Sequence, residues 1–340
     1  MCTPASARGS PGYQAARQIL ALAEARGYEP GTSQARLIFS AFSCWSEPVE
    51  NGVRAAQRAR EGLIAGGDLA NAGYTYSAVS GLLDCAPTLN ACVVEVQAGL
   101  AFLRRTGNEQ SGEALDSYRW LADAVRGQSA IVTGEAIPVD RYAGNPQALL
   151  FAHINHAIAA AIFGDLADLE RHTTAAMPLL PTVLGLYPDA VARLLRGLAL
   201  AGQARSAEGG DRGGLLAELD EVARWLAGRA ADAPDNFLHL LRLTEAERAW
   251  AVGDFRAAAL AFDAARHEAA QRQRPWHRAL IAERAARFYL AHGLEHVGYD
   301  LLTQARQEYA AWGAAAKAAQ LDWAYPTLQP QHEATAGHGG

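Results

Sequence analysis

The chain has 340 residues, half of them hydrophobic, a formal net charge of −6 and four cysteines. That length can bury a sizeable core, and the acidic balance argues against a general nucleic-acid binder, which needs a basic face to displace counterions. Cys2, Cys44, Cys85 and Cys92 form no CxxC pair, which points to a reduced, cytoplasmic setting.

Residues 1–12 are rich in Gly, Pro and Ser and read as a disordered N-terminus with no secretory h-region. Tyr13 to Arg26 reads as an amphipathic helix closed at Gly27. Thr32 or Ser33 caps the next, which carries Leu37, Ile38, Phe42 and Trp45. Glu47-Pro48 ends it, because proline sits well only in the first turn of a following helix. That following helix runs to Gly66-Gly67, and Asp68 caps another with Ala72, Tyr76 and Val79. Pro87 precedes a helix through Leu103, closed at Gly107, and a helix over 110–126 carries Leu115, Tyr118, Trp120 and Leu121.

The segment 127–146, with Gly134, Pro138, Gly144 and Pro146, reads as a long connecting loop. Ala148 to Leu166 is the most membrane-like stretch, but His153, Asn155 and His156 lie in its middle. Polar groups there are costly in lipid, so the reading is a buried helix and no membrane. A helix over 188–204 precedes SAEGGDRGG (206–214), so a second loop is expected near 205–214. After a helix over 215–229, Asp235 or Asn236 caps the entry to two helical hairpins that turn at Gly253 and Gly293. A last helix, 314–324, precedes a tail over 327–340 that reads as disordered.

The turn glycines of the two hairpins stand 40 residues apart, a period in the range of helical-pair repeats. Small residues recur where helices must approach: Ala246 and Ala286, then Ala258 and Gly298, followed by bulky Phe262 and Leu302 and by Ala265 and Ala305. Leu294, Val297, Leu301, Ala305, Tyr309 and Trp312 form a 3.6-period stripe, and Ile281, Ala285 and Phe288 form another. One hairpin cannot bury such stripes alone; it needs neighbours. Alternating Val/Ile runs are absent, so almost no sheet is expected. The expected fold is all-α, a tetratricopeptide-like α-solenoid of stacked antiparallel helix pairs in a single domain over 13–326, with an irregular helical bundle as the alternative. The period is longer than the tetratricopeptide one, and Ala270 and Ala310 stand where that pattern closes with proline.

No motif assigns chemistry. GNEQSGEA (107–114) has the glycine spacing of a phosphate loop, but Glu113-Ala114 replaces the Lys-Ser/Thr pair that carries its mechanism. His153 and His156 can share a helix face but lack a third ligand. His292 and His296 straddle Gly293. Cys85 and Cys92 flank Pro87 and read as buried thiols. Glu245 and Glu247, with Arg242 and Arg248, read as a surface ion-pair segment. The tryptophans (45, 120, 225, 250, 276, 312 and 323) mostly fall on apolar stripes and read as core, with any partner-facing anchor a minority. No catalytic, cofactor-binding or metal-binding residue is assigned, and no cofactor is expected.

The segment ERAARFYLAHGLEHVGYDLLTQARQEYAAWGAAAKAAQLDWAYP (283–326) closely resembles the end of the helical region of very large multidomain signalling proteins. Those join a Ser/Thr-kinase-like domain, a P-loop ATPase, a long helical-repeat segment, a GAF sensor and a histidine kinase or cyclase. Residues 39–76, 177–200 and 216–265 look similar too, so the resemblance covers about 13–326. The family's catalytic residues lie in domains that this sequence does not contain. The resemblance therefore implies a non-catalytic repeat scaffold in signal transduction, with a kinase, ATPase or response regulator as partner. The alternatives are a repeat domain that senses a small-molecule or peptide effector and, last, an enzyme on a helical scaffold.

Overall fold

The computed structural model describes residues 11–128, 139–183 and 185–326, and the regular elements among them are all helical. In chain order they are α1 (Pro11–Arg26), α2 (Gly31–Phe42), α3 (Val49–Ala65), α4 (Leu69–Tyr74), α5 (Val79–Cys85), α6 (Leu89–Thr106), α7 (Glu109–Arg126) and α8 (Pro146–Phe163). Then come α9 (Leu166–Ala176), α10 (Tyr187–Ser206), α11 (Gly209–Asp232), α12 (Pro234–Val252), α13 (Phe255–Ala270), α14 (Pro275–Ala291), α15 (Glu295–Trp312) and α16 (Ala315–Ala324).

Local chemistry sets many of the boundaries. Asp68, Asn108, Asn145, Asp165 and Asp254 each accept a hydrogen bond from the backbone N–H three residues on, which satisfies an orphan donor of the helix that follows. Gly253 and Gly293 lie in the left-handed region, at φ 81° and 75°, and turn α12 into α13 and α14 into α15.

Consecutive helices pack on one another along the chain, and α10 also packs on α8 and α12. Two classes of helix result. Some bury one stripe: α13 hides Ala258, Phe262, Ala265 and Ala269, and α11 hides Leu219, Val222, Leu226 and Ala230. By contrast α8, α10, α12 and α14 are buried around most of their circumference. A helix that is apolar on all sides belongs in an interior. α8 is long and apolar enough to cross a membrane, but most of it is buried in this protein.

The C-terminal half also returns to the N-terminal half. α14 and α10 touch α5, and α16 touches α7 and α8. Gln320 of α16 donates to the Phe163 carbonyl at the end of α8 at 3.0 Å.

Several expectations are corrected. The predicted loop near 205–214 is almost all helix, since α10 reaches Ser206 and α11 starts at Gly209. Helix α1 starts at Pro11, inside the segment read as a disordered N-terminus, while residues 1–10, 129–138 and 327–340 lie outside the described residues. Leu294 and Val297 are 42% and 44% exposed, so the buried stripe of α15 runs instead through Gly298, Leu301, Leu302, Ala305, Tyr309 and Trp312. Gly298 is needed there because a Cβ would lie 2.5 Å from the Leu290 side chain. Thr32 does not cap α2; its hydroxyl donates to the Ala23 and Tyr28 carbonyls behind it. Trp323 is 85% exposed rather than core.

Candidate functional site

A buried polar joint ties the two halves together. Asp84, near the end of α5, has no exposed surface. The Tyr187 hydroxyl at the start of α10 donates to one Asp84 oxygen at 2.6 Å, and the Trp276 indole N–H of α14 donates to the other at 2.6 Å. His277 Nε2 lies 3.8 Å from the same carboxylate, and its Nδ1 is 3.0 Å from Nε2 of His239 on α12. Burial raises the Asp84 carboxyl to about 6 against the opposing Tyr187 and Trp276 hydrogen bonds. Burial likewise holds His239 and His277 well below the usual histidine range.

Beside it, the wholly buried Arg274 pairs with Glu50 of α3 at 2.5 Å and donates to Asn236 Oδ1 at 3.2 Å. Asn236 was expected to cap its own helix. It caps α3 instead: its Oδ1 accepts from the Val49 N–H at 2.9 Å, and its amide donates to the Cys44 and Glu47 carbonyls at 2.6 and 2.7 Å. This constellation holds charge and hydrogen bonds between distant helices. The nearby thiols are poor nucleophiles, since burial pushes Cys85 up to about 12 and Cys92 further up.

A cavity of about 180 Å³ adjoins the joint, and Tyr187 lines both. Its wall includes Leu37, Val53, Leu115 and Phe151, with the hydroxyls of Ser40, Ser80 and Tyr118. The broken helical stretch of α4, a 3₁₀ turn over Thr75–Ala78 and α5 forms one side. A 3₁₀ interruption of this kind often marks a functional position.

A second groove of about 360 Å³ lies between α1 and α2, lined by Tyr13, Ile19, Leu20, Ile38, Phe39 and Phe42 among others. Ile19 and Ile38 are 63% and 62% exposed, and Leu22 and Phe42 are half-exposed. A contiguous apolar surface of this kind is the ordinary mark of an interaction site.

The candidate residues from the sequence fall as follows. His153 does meet another histidine, but it is His172 of α9, at 3.0 Å between Nδ1 atoms. His156 stacks on His172 and against Trp120. Burial lowers His156 to about 4 and His172 to about 3. Among the described residues no group of three His, Cys, Asp or Glu is placed to hold a metal ion. Glu247, expected on a charged surface, is instead wholly buried between Arg205, at 2.7 Å, and Arg284. Burial pushes it up, but the two guanidiniums outweigh this and hold it below the usual range. Arg242 and Glu245 do form a surface pair at 2.8 Å, while Arg248 pairs with Asp220. Nothing local marks Glu247, because its partners stand 42 residues before and 37 after it. Asp84, Tyr187, Trp276 and Arg274 were missed for the same reason.

Comparison with known protein families, with curated proteins and with solved structures finds no match.

Proposed function

We propose that this chain is a non-catalytic helical-repeat scaffold, a tetratricopeptide-like α-solenoid of stacked antiparallel helix pairs, that docks a protein partner in signal transduction. The observation that carries this reading is the exposed apolar groove between α1 and α2. The α1–α2 pair presents Ile19, Leu22, Ile38 and Phe42 to solvent. Such a groove suits the apolar face of an amphipathic helix, with anchors one helical turn apart. The resemblance to the repeat segment of multidomain signalling ATPases supports a kinase, an ATPase or a response regulator as the protein that supplies it. The first helices of the pairs offer no such surface, because α10, α12 and α14 are buried. Docking therefore falls to the α1–α2 pair and not to the inner face.

The test is cross-linked capture from the native cytoplasm with the wild-type chain and with Ile19→Asp/Ile38→Asp. Stoichiometric recovery of a kinase, ATPase or response regulator by the wild type, lost in the folded variant, supports the reading. Recovery of the chain alone, or equal recovery by both forms, overturns it.

A second reading, an effector-sensing repeat domain, rests on the separate cavity that Tyr187 shares with the buried joint.

A further inference from the structure

We propose that the cavity beside Tyr187 binds one uncharged, single-ring molecule that carries a hydroxyl group. This rests on the effector-sensing reading and adds the chemical class of the ligand.

Size comes first. A dry cavity of roughly 150 Å³ accepts benzene, so about 180 Å³ holds one ring with a small substituent.

Charge comes next. None of the described residues lining the cavity carries a charged side chain. Asp84 stands behind Tyr187, already occupied by Tyr187 and Trp276. A carboxylate, phosphate or ammonium entering the cavity would lose its hydration with no counter-charge in the wall.

Polarity completes the class. The Ser40 hydroxyl donates to the Leu37 carbonyl at 2.6 Å, and the Ser80 hydroxyl donates to the Ser77 carbonyl at 3.1 Å. Each has used its single proton within its own helical segment and keeps oxygen lone pairs as acceptors. The Tyr187 proton is likewise committed to Asp84. Tyr74, Ser77, Ser111, Tyr118 and Gln147 at the lining carry O–H or N–H groups that can donate, so the wall offers both acceptors and donors and suits a hydroxyl group, which does both. The aromatic side chains of Tyr76, Tyr118 and Phe151 border the space and suit a flat ring. Exposed Tyr74, Ser77 and Gln147 at the lining give access from solvent.

The experiment titrates the full chain by calorimetry with three probes of one body: phenol, anisole and benzoate. Expected is saturable binding of phenol, anisole weaker by about five-fold for the loss of one donor, and no saturable benzoate binding. Ala114→Leu, which places a larger side chain at the cavity wall, abolishes phenol binding; Ser80→Ala, which leaves the space open, weakens phenol toward the anisole value. Circular dichroism establishes that each variant is folded, and Ser80→Ala provides the test if Ala114→Leu is not. Saturable benzoate binding equal to or tighter than phenol overturns the class while leaving an effector site. Absence of binding by all three probes, or phenol binding unaltered in both folded variants, overturns the site itself.

Discussion

Asp84 and Glu247 show what a single buried carboxylate does in this protein. Asp84 has a raised pKa, so the folded chain keeps its proton after the unfolded chain has released it. Its stabilising contribution is complete below the ordinary carboxylate value of about 4 and is lost as pH rises through about 6. The gap corresponds to about 3 kcal/mol. His239 and His277 act in the opposite sense: their depressed values favour the fold above the ordinary histidine range, and that benefit is lost as pH falls through it. His277 lies 3.8 Å from the Asp84 carboxylate, so the two couple, and a comparison of the wild type with Asp84→Asn carries a histidine part as well. The stability advantage of the wild type over this variant should shrink as pH rises from roughly 4 to 7, read by urea unfolding; a constant difference contradicts the assignment. Glu247 lies between Arg205 and Arg284. Glu247→Ala leaves two guanidiniums facing a void and should cost about 3–5 kcal/mol, visible as a lower urea midpoint with an unchanged slope. Glu245→Ala, on the surface, should cost under about 1 kcal/mol.

At the scale of the element, the helices divide by where their caps come from. Asp68, Asn108, Asn145, Asp165 and Asp254 act within three residues, and of these Asp68 is the one read as a cap from the sequence. The cap of α3 comes from Asn236, 187 residues away. Asn236→Ala frees the Val49 N–H and the Cys44 and Glu47 carbonyls at once. The expected loss is about 2–4 kcal/mol, above the ordinary 0.5–2 of a helix cap, because buried partners are orphaned as well. Amide exchange should quicken first at the start of α3; a loss confined to α12 would contradict a cap supplied across the fold. Gly253, with φ 81°, has open space where a Cβ would go. Gly253→Ala should therefore cost only about 1 kcal/mol, from backbone strain alone. Gly298→Ala should cost more, because its Cβ meets Leu290 at 2.5 Å.

At the scale of the molecule, α14 and α16 return onto α5, α7 and α8 of the N-terminal half. An open array of repeats can fray from its ends, each unit depending on its neighbours. Here Trp276, fully buried, links α14 to Asp84 of α5 through one hydrogen bond, so loosening one half loosens the other. Trp276→Phe keeps a ring but removes the donor. Hydrogen exchange should then rise in α5 and α14 together; a rise in α14 alone would show that the halves unfold independently.

Local periodicity and local punctuation were enough to read the all-helical class, the turns at Gly253 and Gly293, the Asp68 cap and the burial of Ile281, Ala285 and Phe288. These depend on contacts within a few residues, or on a face that any helical neighbour would cover. Periodicity could not tell how far a stripe extends, which is why Leu294 and Val297 looked buried, nor that α11 begins inside a glycine-rich segment. The cavity, the joint at Asp84 and the arginine clasp on Glu247 were decided by tertiary structure alone. Each unites residues about 40 to 190 positions apart, and a charge that looks solvated along the chain becomes a buried pair only when distant helices bring its partners to it.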